Sequence, residues 1–184
     1  MNATNTAHPL SDAALMRMMQ HGDRIGFTLL YDRYQSRAMN VCVVVCGDAN
    51  FASIAVARAF DEIWSRCNMY VPHQCAVHAW VFRIVRNTAV NVSNNTTPEP
   101  SDSGGLSVVP GEASWGLSGR DVANVFGRLL SVLPDSEREV VALAYFGELD
   151  HKEIAGILGL SAEQVEGRMR LGVDRLRSIV KTGG

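Results

Sequence analysis

Asp150-His-Lys-Glu-Ile-Ala-Gly-Ile-Leu-Gly-Leu-Ser-Ala-Glu-Gln-Val165 is the stretch that decides the fold. Asp150 followed three residues later by Glu153 is a capping box, and Ile154, Ile157 and Leu158 then repeat at helical spacing. Gly159 stands where a left-handed residue ends a helix. Ser161 and Gln164 form a second box, opening a helix that turns Val165, Met169, Gly172, Leu176 and Ile179 or Val180 inward. A short helix, a tight glycine turn and a longer helix predict a helix-turn-helix.

Working toward the N-terminus, Ser136-Glu-Arg-Glu139 predicts another boxed helix, running through Phe146 and closed by Gly147. Asp121 to Val132 predicts one more, stopped by Leu133-Pro134. Before it, residues 91–114 hold three of the six prolines, two adjacent glycines and a run of Ser, Thr and Asn. Such a stretch buries too little surface to offset its ordering entropy and reads as a flexible linker.

The first half is helical again. Ser11 or Asp12 caps a helix to about Gln20, and His21-Gly22-Asp23 is a stop followed by a new cap. Phe27, Leu30, Tyr31 and Tyr34 form a buried stripe on the next helix. Phe51 to Trp64 is expected to turn Ile54, Ala57, Phe60, Ile63 and Trp64 inward. A last helix, about Val77 to Val90, points Trp80, Val81, Ile84, Val85 and Thr88 inward, with Arg83, Arg86 and Asn87 outside the stripe. No strand alternation and no internal repeat is present. The expectation is an all-α chain of two small helical domains on a flexible linker, divided as a disordered tail 1–10, a domain 11–90, a linker 91–114 and a domain 115–184.

The 184 residues carry 17 Lys and Arg against 19 Asp and Glu, so no bulk charge draws the chain to nucleic acid. Residues 1–90 hold 8 basic and 6 acidic groups, the linker three acids and no base, and residues 115–184 hold 9 and 10. The longest apolar run, Val140 to Phe146, falls far short of the roughly 20 residues of a spanning helix. No membrane insertion is expected, and with no basic, apolar leader in Met1–Leu10 the cytoplasm is the expected location. Cys42 and Cys46 are four apart on one helix face, with Cys67, Cys75, His73 and His78 following. Their spacings match no zinc pattern, so the thiols are expected to be free and partly buried, with no metal and no cofactor. No nucleophile–base set, phosphate loop or acid pair emerges, and no catalysis is expected.

A helix-turn-helix can lay its second helix in the major groove. Gln164 suits adenine, Arg168 and Arg170 suit guanine or phosphate, and Arg175 also falls outside the buried stripe. Lys152 suits a phosphate. A plain helical hairpin with a salt-bridged face is the competing reading.

Leu133-Pro134, Arg138, Tyr145, Glu153-Ile-Ala155, Leu158-Gly-Leu-Ser161, Val165, Arg168 and Leu176-Arg177 together resemble the −35-binding domain of bacterial sigma factors. Gly22-Asp23, Phe27, Leu30-Tyr31, Tyr34, Gly47-Asp48, Phe60, Ile63-Trp64 and Ala79 to Asn87 resemble the core-polymerase-binding and −10-reading domain of the extracytoplasmic-function (ECF) group. The two halves follow in that group's order. The resemblance implies a transcription initiation factor with core RNA polymerase and promoter DNA as partners, and an anti-sigma factor as a further one. It implies −10 contacts by Tyr70, Trp80, Arg83, Arg86 and Asn87, although the spacing of Trp80 also suits core packing. It implies polymerase contacts around Asp48, Ser53, Ala57, Arg58, Asp61 and Glu62.

The chain departs from the group's pattern in three places. Ser53-Ile54 and Ala57-Arg58 stand where carboxylates and Gln-Glu are usual. Val90 to Asn95 lacks the usual cations after the −10 helix, and Glu166, Gly167 and Leu171 replace residues that usually include Lys or Arg. Glu166 can accept from a cytosine amine or repel DNA. Two other functions therefore stand beside initiation: a sigma-like module acting through protein contacts alone, and a helix-turn-helix repressor.

Overall fold

The computed structural model describes residues 10–95 and 130–182, and every regular element among them is helical. The tail Met1–Pro9, most of the expected linker and most of the expected helix Asp121–Val132 lie outside the described residues.

Four helices form the first unit: α1 (Asp12–Gln20), α2 (Arg24–Cys46), α3 (Ala49–Arg66) and α4 (Val77–Asn95), with a short 3-10 turn at Cys67–Met69. Each of the first three starts on a side-chain cap. The Ser11 hydroxyl accepts the Ala14 N–H, Asp23 accepts that of Ile25, and Asp48 accepts those of Asn50 and Phe51. Gly26 lets α2 lie directly on α1, because a Cβ there would meet the Met18 Cβ at 2.7 Å and the Leu15 carbonyl at 2.9 Å.

The core of this bundle is Leu15, Leu30, Tyr34, Val41, Phe60, Ile63, Val81, Phe82 and Val85, all buried. Phe27, Tyr31, Phe60 and Trp64 make a tilted aromatic cluster joining α2 to α3, with ring centroids 4.7 to 6.4 Å apart.

Two expectations change here. Ile54 and Ala57 are exposed, and the buried face of α3 is Ala52, Ala55, Val56, Ala59, Phe60 and Ile63. The alanines bring α3 close to its neighbours, and that alternative small-residue stripe is hard to distinguish by hydropathy from the one through Ile54. Helix α4 also continues to Asn95, carrying Val92 into the core, five residues beyond the boundary that composition suggests.

The second unit is α5 (Asp135–Tyr145), α6 (His151–Leu158) and α7 (Ala162–Thr182). Helix α6 has the expected box: the Asp150 carboxylate accepts from Lys152 and Glu153, and Glu153 accepts from the Asp150 N–H. Gly159 ends it at φ +66°. Helix α7 has its box too, with Ser161 and Gln164 exchanging bonds of 2.9 and 3.2 Å.

The box expected at Ser136 does not form. Helix α5 starts at Asp135 with Pro134 as its N-cap, so Ser136 falls inside the first turn where it cannot cap, and Glu139 pairs with Arg86 of α4. The unit's core is Leu133, Val140, Leu143, Ile154 and Val165, with Gly172 of α7 buried against Val141.

Candidate nucleic-acid interface

Helix α7 begins on the surface. Glu163, Gln164, Glu166, Arg170 and Leu171 are exposed, and Arg168 is half-buried. Lys152, in the first turn of α6, is exposed beside them in the fold of the motif. Its neighbour Asp150 is held below the usual carboxylate range, chiefly by the Glu153 N–H and then by that of Lys152.

Two of the expected contact residues on α7 already have structural work. The side-chain oxygen of Gln164 accepts the Ser161 N–H, so pairing with adenine by both amide atoms has to use that oxygen's second lone pair. Arg175 Nε lies 3.0 Å from Oε2 of Glu137, which is buried in α5. Arg177 lies 3.7 Å from Asp174, an open surface pair.

On α4 the expected residues divide. Arg83 and Asn87 are exposed. Arg86 is largely covered, its Nε 2.5 Å from Glu139 Oε1. Tyr70 and Trp80 are 6 % and 5 % exposed and pack edge to face at 5.7 Å, while the Tyr70 hydroxyl donates to the Cys75 carbonyl. Neither ring offers a face to a splayed base in this conformation, and both are core. The loop that carries Tyr70 is pinned by the Gln20 amide, which donates to the carbonyls of Cys67 and Tyr70.

The α3 residues divide in the same way. Ser53, Ala57, Arg58 and Asp61 are exposed along one side of the helix, joined by Ile54. Asp48 is the N-cap of α3, and Glu62 ties to Arg66 at 2.7 Å and accepts from Thr88 of α4.

Sequence reasoning missed the seam between the two units. Arg37 of α2 donates from Nε to the Phe146 carbonyl and from Nη2 to that of Gly147, both at 2.8 Å, and lies 3.1 Å from Glu148. His78 lies 3.1 Å from Glu153. Asp12, Arg33, Tyr34, Arg37, His78 and Glu148 line a polar cleft along this seam. No sequence signal pairs residues more than 100 positions apart; only the odd inward placement of Arg37, one turn after Tyr34, hints at it.

The cysteines have a simpler role. Cys42 is buried and Cys46 donates to the Ala89 carbonyl, with burial pushing the Cys46 thiol up to about 11. Among the described residues, no three His, Cys, Asp or Glu side chains gather as metal ligands would, and no helix is long and apolar enough to cross a membrane.

Residues 129–178 match the family model "Sigma-70, region 4". The ECF RNA polymerase sigma factor RpoE of Cereibacter sphaeroides is 28% identical over 176 residues, covering 89% of this chain and 92% of the relative. The ECF RNA polymerase sigma factor SigK of Mycobacterium tuberculosis is 25% identical over 174 residues, covering 91% and 90%. Among solved structures, CnrH in complex with the cytosolic domain of CnrY superposes with a TM-score of 0.69 at 20% identity, over 94% of this chain and 99% of that one. The sigma factor RpoE of Bartonella quintana, in complex with the anti-sigma factor NepR, gives 0.59 at 17% identity, over 84% and 96%. At that identity the structures speak for the fold.

Proposed function

Because the chain belongs to the ECF group of the sigma-70 family, we propose that it is a transcription initiation factor that binds core RNA polymerase and directs it to promoters through −10 and −35 elements. Residues 11–95 serve as the polymerase-docking and −10 unit, 96–114 as the tether, and 115–184 as the −35 unit, the first boundary moved from 90 because α4 runs to Asn95. The observation that carries the reading is the surface at the start of α7: Gln164, Glu166 and Arg170 stand free of the core at the helix end that a helix-turn-helix sends into the groove.

On α7, Gln164, Arg168 and Arg170 meet base edges and phosphates, Glu166 accepts from a cytosine amine, and Lys152 takes a phosphate. On α4, Arg83 and Asn87 hold the melted strand, and Arg86 joins them once it leaves Glu139. The exposed side of α3, Ser53, Ala57, Arg58 and Asp61, meets the polymerase. Arg58 there replaces an expected carboxylate, so the docking contacts are altered in sign. An anti-sigma factor is the regulatory partner, since structural neighbours are seen with such partners bound.

One feature favours a second reading, a sigma-like protein acting through protein contacts alone. The exposed side of α7 carries Glu163, Glu166 and Asp174 as well as its arginines, which weakens attraction to phosphate. Reconstituted transcription decides between the two. Core polymerase plus this chain should yield promoter-dependent transcripts from genomic fragments, and Arg58→Glu should strengthen retention on core. If no fragment gives a transcript although core is retained, the protein-contact reading stands instead.

A further inference from the structure

Over its first three turns α7 presents two unlike sides. Glu163, Glu166 and Arg170, at i, i+3 and i+7, are all charged and exposed. Gln164, Gly167 and Leu171 repeat that spacing on the other side, which offers an amide, a bare stretch of backbone and an isobutyl group. We propose that this uncharged side reads thymine: Leu171 meets a thymine C5 methyl in the major groove and is a specificity-determining residue of the −35 contact. The inference rests on the promoter-binding reading above and names the base that one further residue selects.

Leu171 is 53 % exposed and is the first large apolar side chain that α7 turns to solvent; the next among the described residues, Ile179, lies two turns further on. It is not a core residue left loose. Gly172, beside it, already occupies the inward place, where an added Cβ would stand 3.0 Å from Val141 Cγ2, so α7 has no room to roll Leu171 inward. One turn earlier, a Cβ on Gly167 would meet nothing within 4 Å, so any side chain there would project into the space in front of the helix. Glycine leaves that space open, and base edges can approach closely enough for a short leucine side chain to reach them. The charges one turn beyond Leu171 are paired off, Arg175 with Glu137 at 3.0 Å and Asp174 with Arg177 at 3.7 Å.

The chemistry of the groove selects the occupant. The thymine methyl is the apolar group that base pairs present in the major groove, and a C·G pair lacks it. An amide matches the adenine edge, so Gln164 and Leu171 together suit two A·T pairs. Seven residues separate them, roughly 10 Å along the helix and about three base-pair steps. The patch is continuous with the groove-facing start of α7, where Gln164 is exposed.

The test uses holoenzyme assembled from core RNA polymerase and the full chain, bound to a promoter duplex selected from genomic fragments. Each −35 thymine is replaced in turn by deoxyuridine, which removes only the methyl. At one position the replacement should weaken wild-type binding about fourfold, the scale of one buried methyl group. Leu171→Ala should weaken binding to the thymine duplex by a similar factor and lose nothing more with deoxyuridine at that position. In a C·G pair at that position, 5-methylcytosine should bind the wild type more tightly than cytosine, and Leu171→Ala should not distinguish the two. Wild-type binding that no deoxyuridine alters overturns the proposal, as does a deoxyuridine effect that Leu171→Ala keeps in full, or a selected −35 element without thymine. Each of those results leaves the initiation reading standing. Holoenzyme that binds no promoter fragment overturns the initiation reading, and this proposal with it.

Discussion

Arg175 of α7 stands 3.0 Å from Oε2 of Glu137, a carboxylate 6 % exposed in α5. That oxygen accepts no aligned hydrogen bond among the described residues, so the charge of Arg175 is what compensates its burial. Arg175→Ala should therefore lower stability by about 2 kcal/mol, less than for a fully buried pair because Arg175 itself is half exposed. Adding Glu137→Met should restore most of the loss by replacing the stranded charge with an apolar chain. Urea denaturation of both variants checks this. Recovery of −35 binding in the double variant would assign Arg175 to the fold; continued loss would assign it to DNA.

Gln164 presents the opposite case, a cap residue that also suits a base. Its Oε1 accepts the Ser161 N–H at 2.9 Å, and a glutamate oxygen can do the same. Gln164→Glu should leave the unfolding midpoint close to wild type while weakening or redirecting −35 selection, since the amide donor is gone. Gln164→Ala should lose both, with a stability cost of about 1 kcal/mol. Thermal unfolding beside selection from a randomised −35 library separates the two contributions.

The parts of the fold that were legible in the sequence are those set by neighbours in the chain. The boxes at Asp150 and Ser161, the caps at Ser11 and Asp23, and the stripe Trp80, Val81, Ile84, Val85 and Thr88 each rest on residues within a few turns. Where reading failed, a distant partner had intervened. Glu139, expected in a local box, pairs with Arg86, 53 positions away, on a helix that Pro134 starts two residues early. Helix α3 turns its alanines inward because close helix packing outweighs the larger but exposed Ile54. The same rule divides the site residues. Exposure leaves Arg83, Asn87, Arg58 and Arg170 available, whereas Asp48, Glu62, Arg86 and Arg175 have partners that composition and periodicity do not disclose.

Alkaline pH should destabilise the α1–α4 bundle before the helix-turn-helix unit. Burial raises the Cys42 thiol, the Cys46 thiol and the Tyr34 phenol, and the adjacent Asp12 raises Tyr34 further. A group raised in the fold keeps its proton there while the unfolded chain loses it. Its stabilisation is complete below the unfolded value and fades as pH rises toward the folded one. For Cys46 that window runs from its ordinary value near 9 up to about 11. Urea midpoints followed by the near-ultraviolet signal of the bundle should fall across that window. Cys46→Ala should flatten the decline, and an unchanged slope would show that its thiol is not shielded in solution.

Gly167 and Gly172 carry the same propensity penalty on α7, yet alanine should act on them in opposite directions. A Cβ on Gly167 would meet nothing within 4 Å, so Gly167→Ala should raise stability by about 1 kcal/mol, the ordinary difference in helix propensity. On Gly172 the added methyl would lie 3.0 Å from Val141 Cγ2, with Glu137 Cβ at 3.6 Å and Leu133 Cδ1 at 3.7 Å behind it. Val141 is β-branched and sits within α5, so it has little rotamer freedom to yield. Strain from overpacking should exceed the propensity gain and leave Gly172→Ala about 1 kcal/mol less stable than the wild type. Because the contact joins α5 to α7, the loss should appear as well in faster amide exchange along α7. A stability gain in Gly172→Ala would mean that the two helices stand further apart in solution than 3.0 Å contact requires.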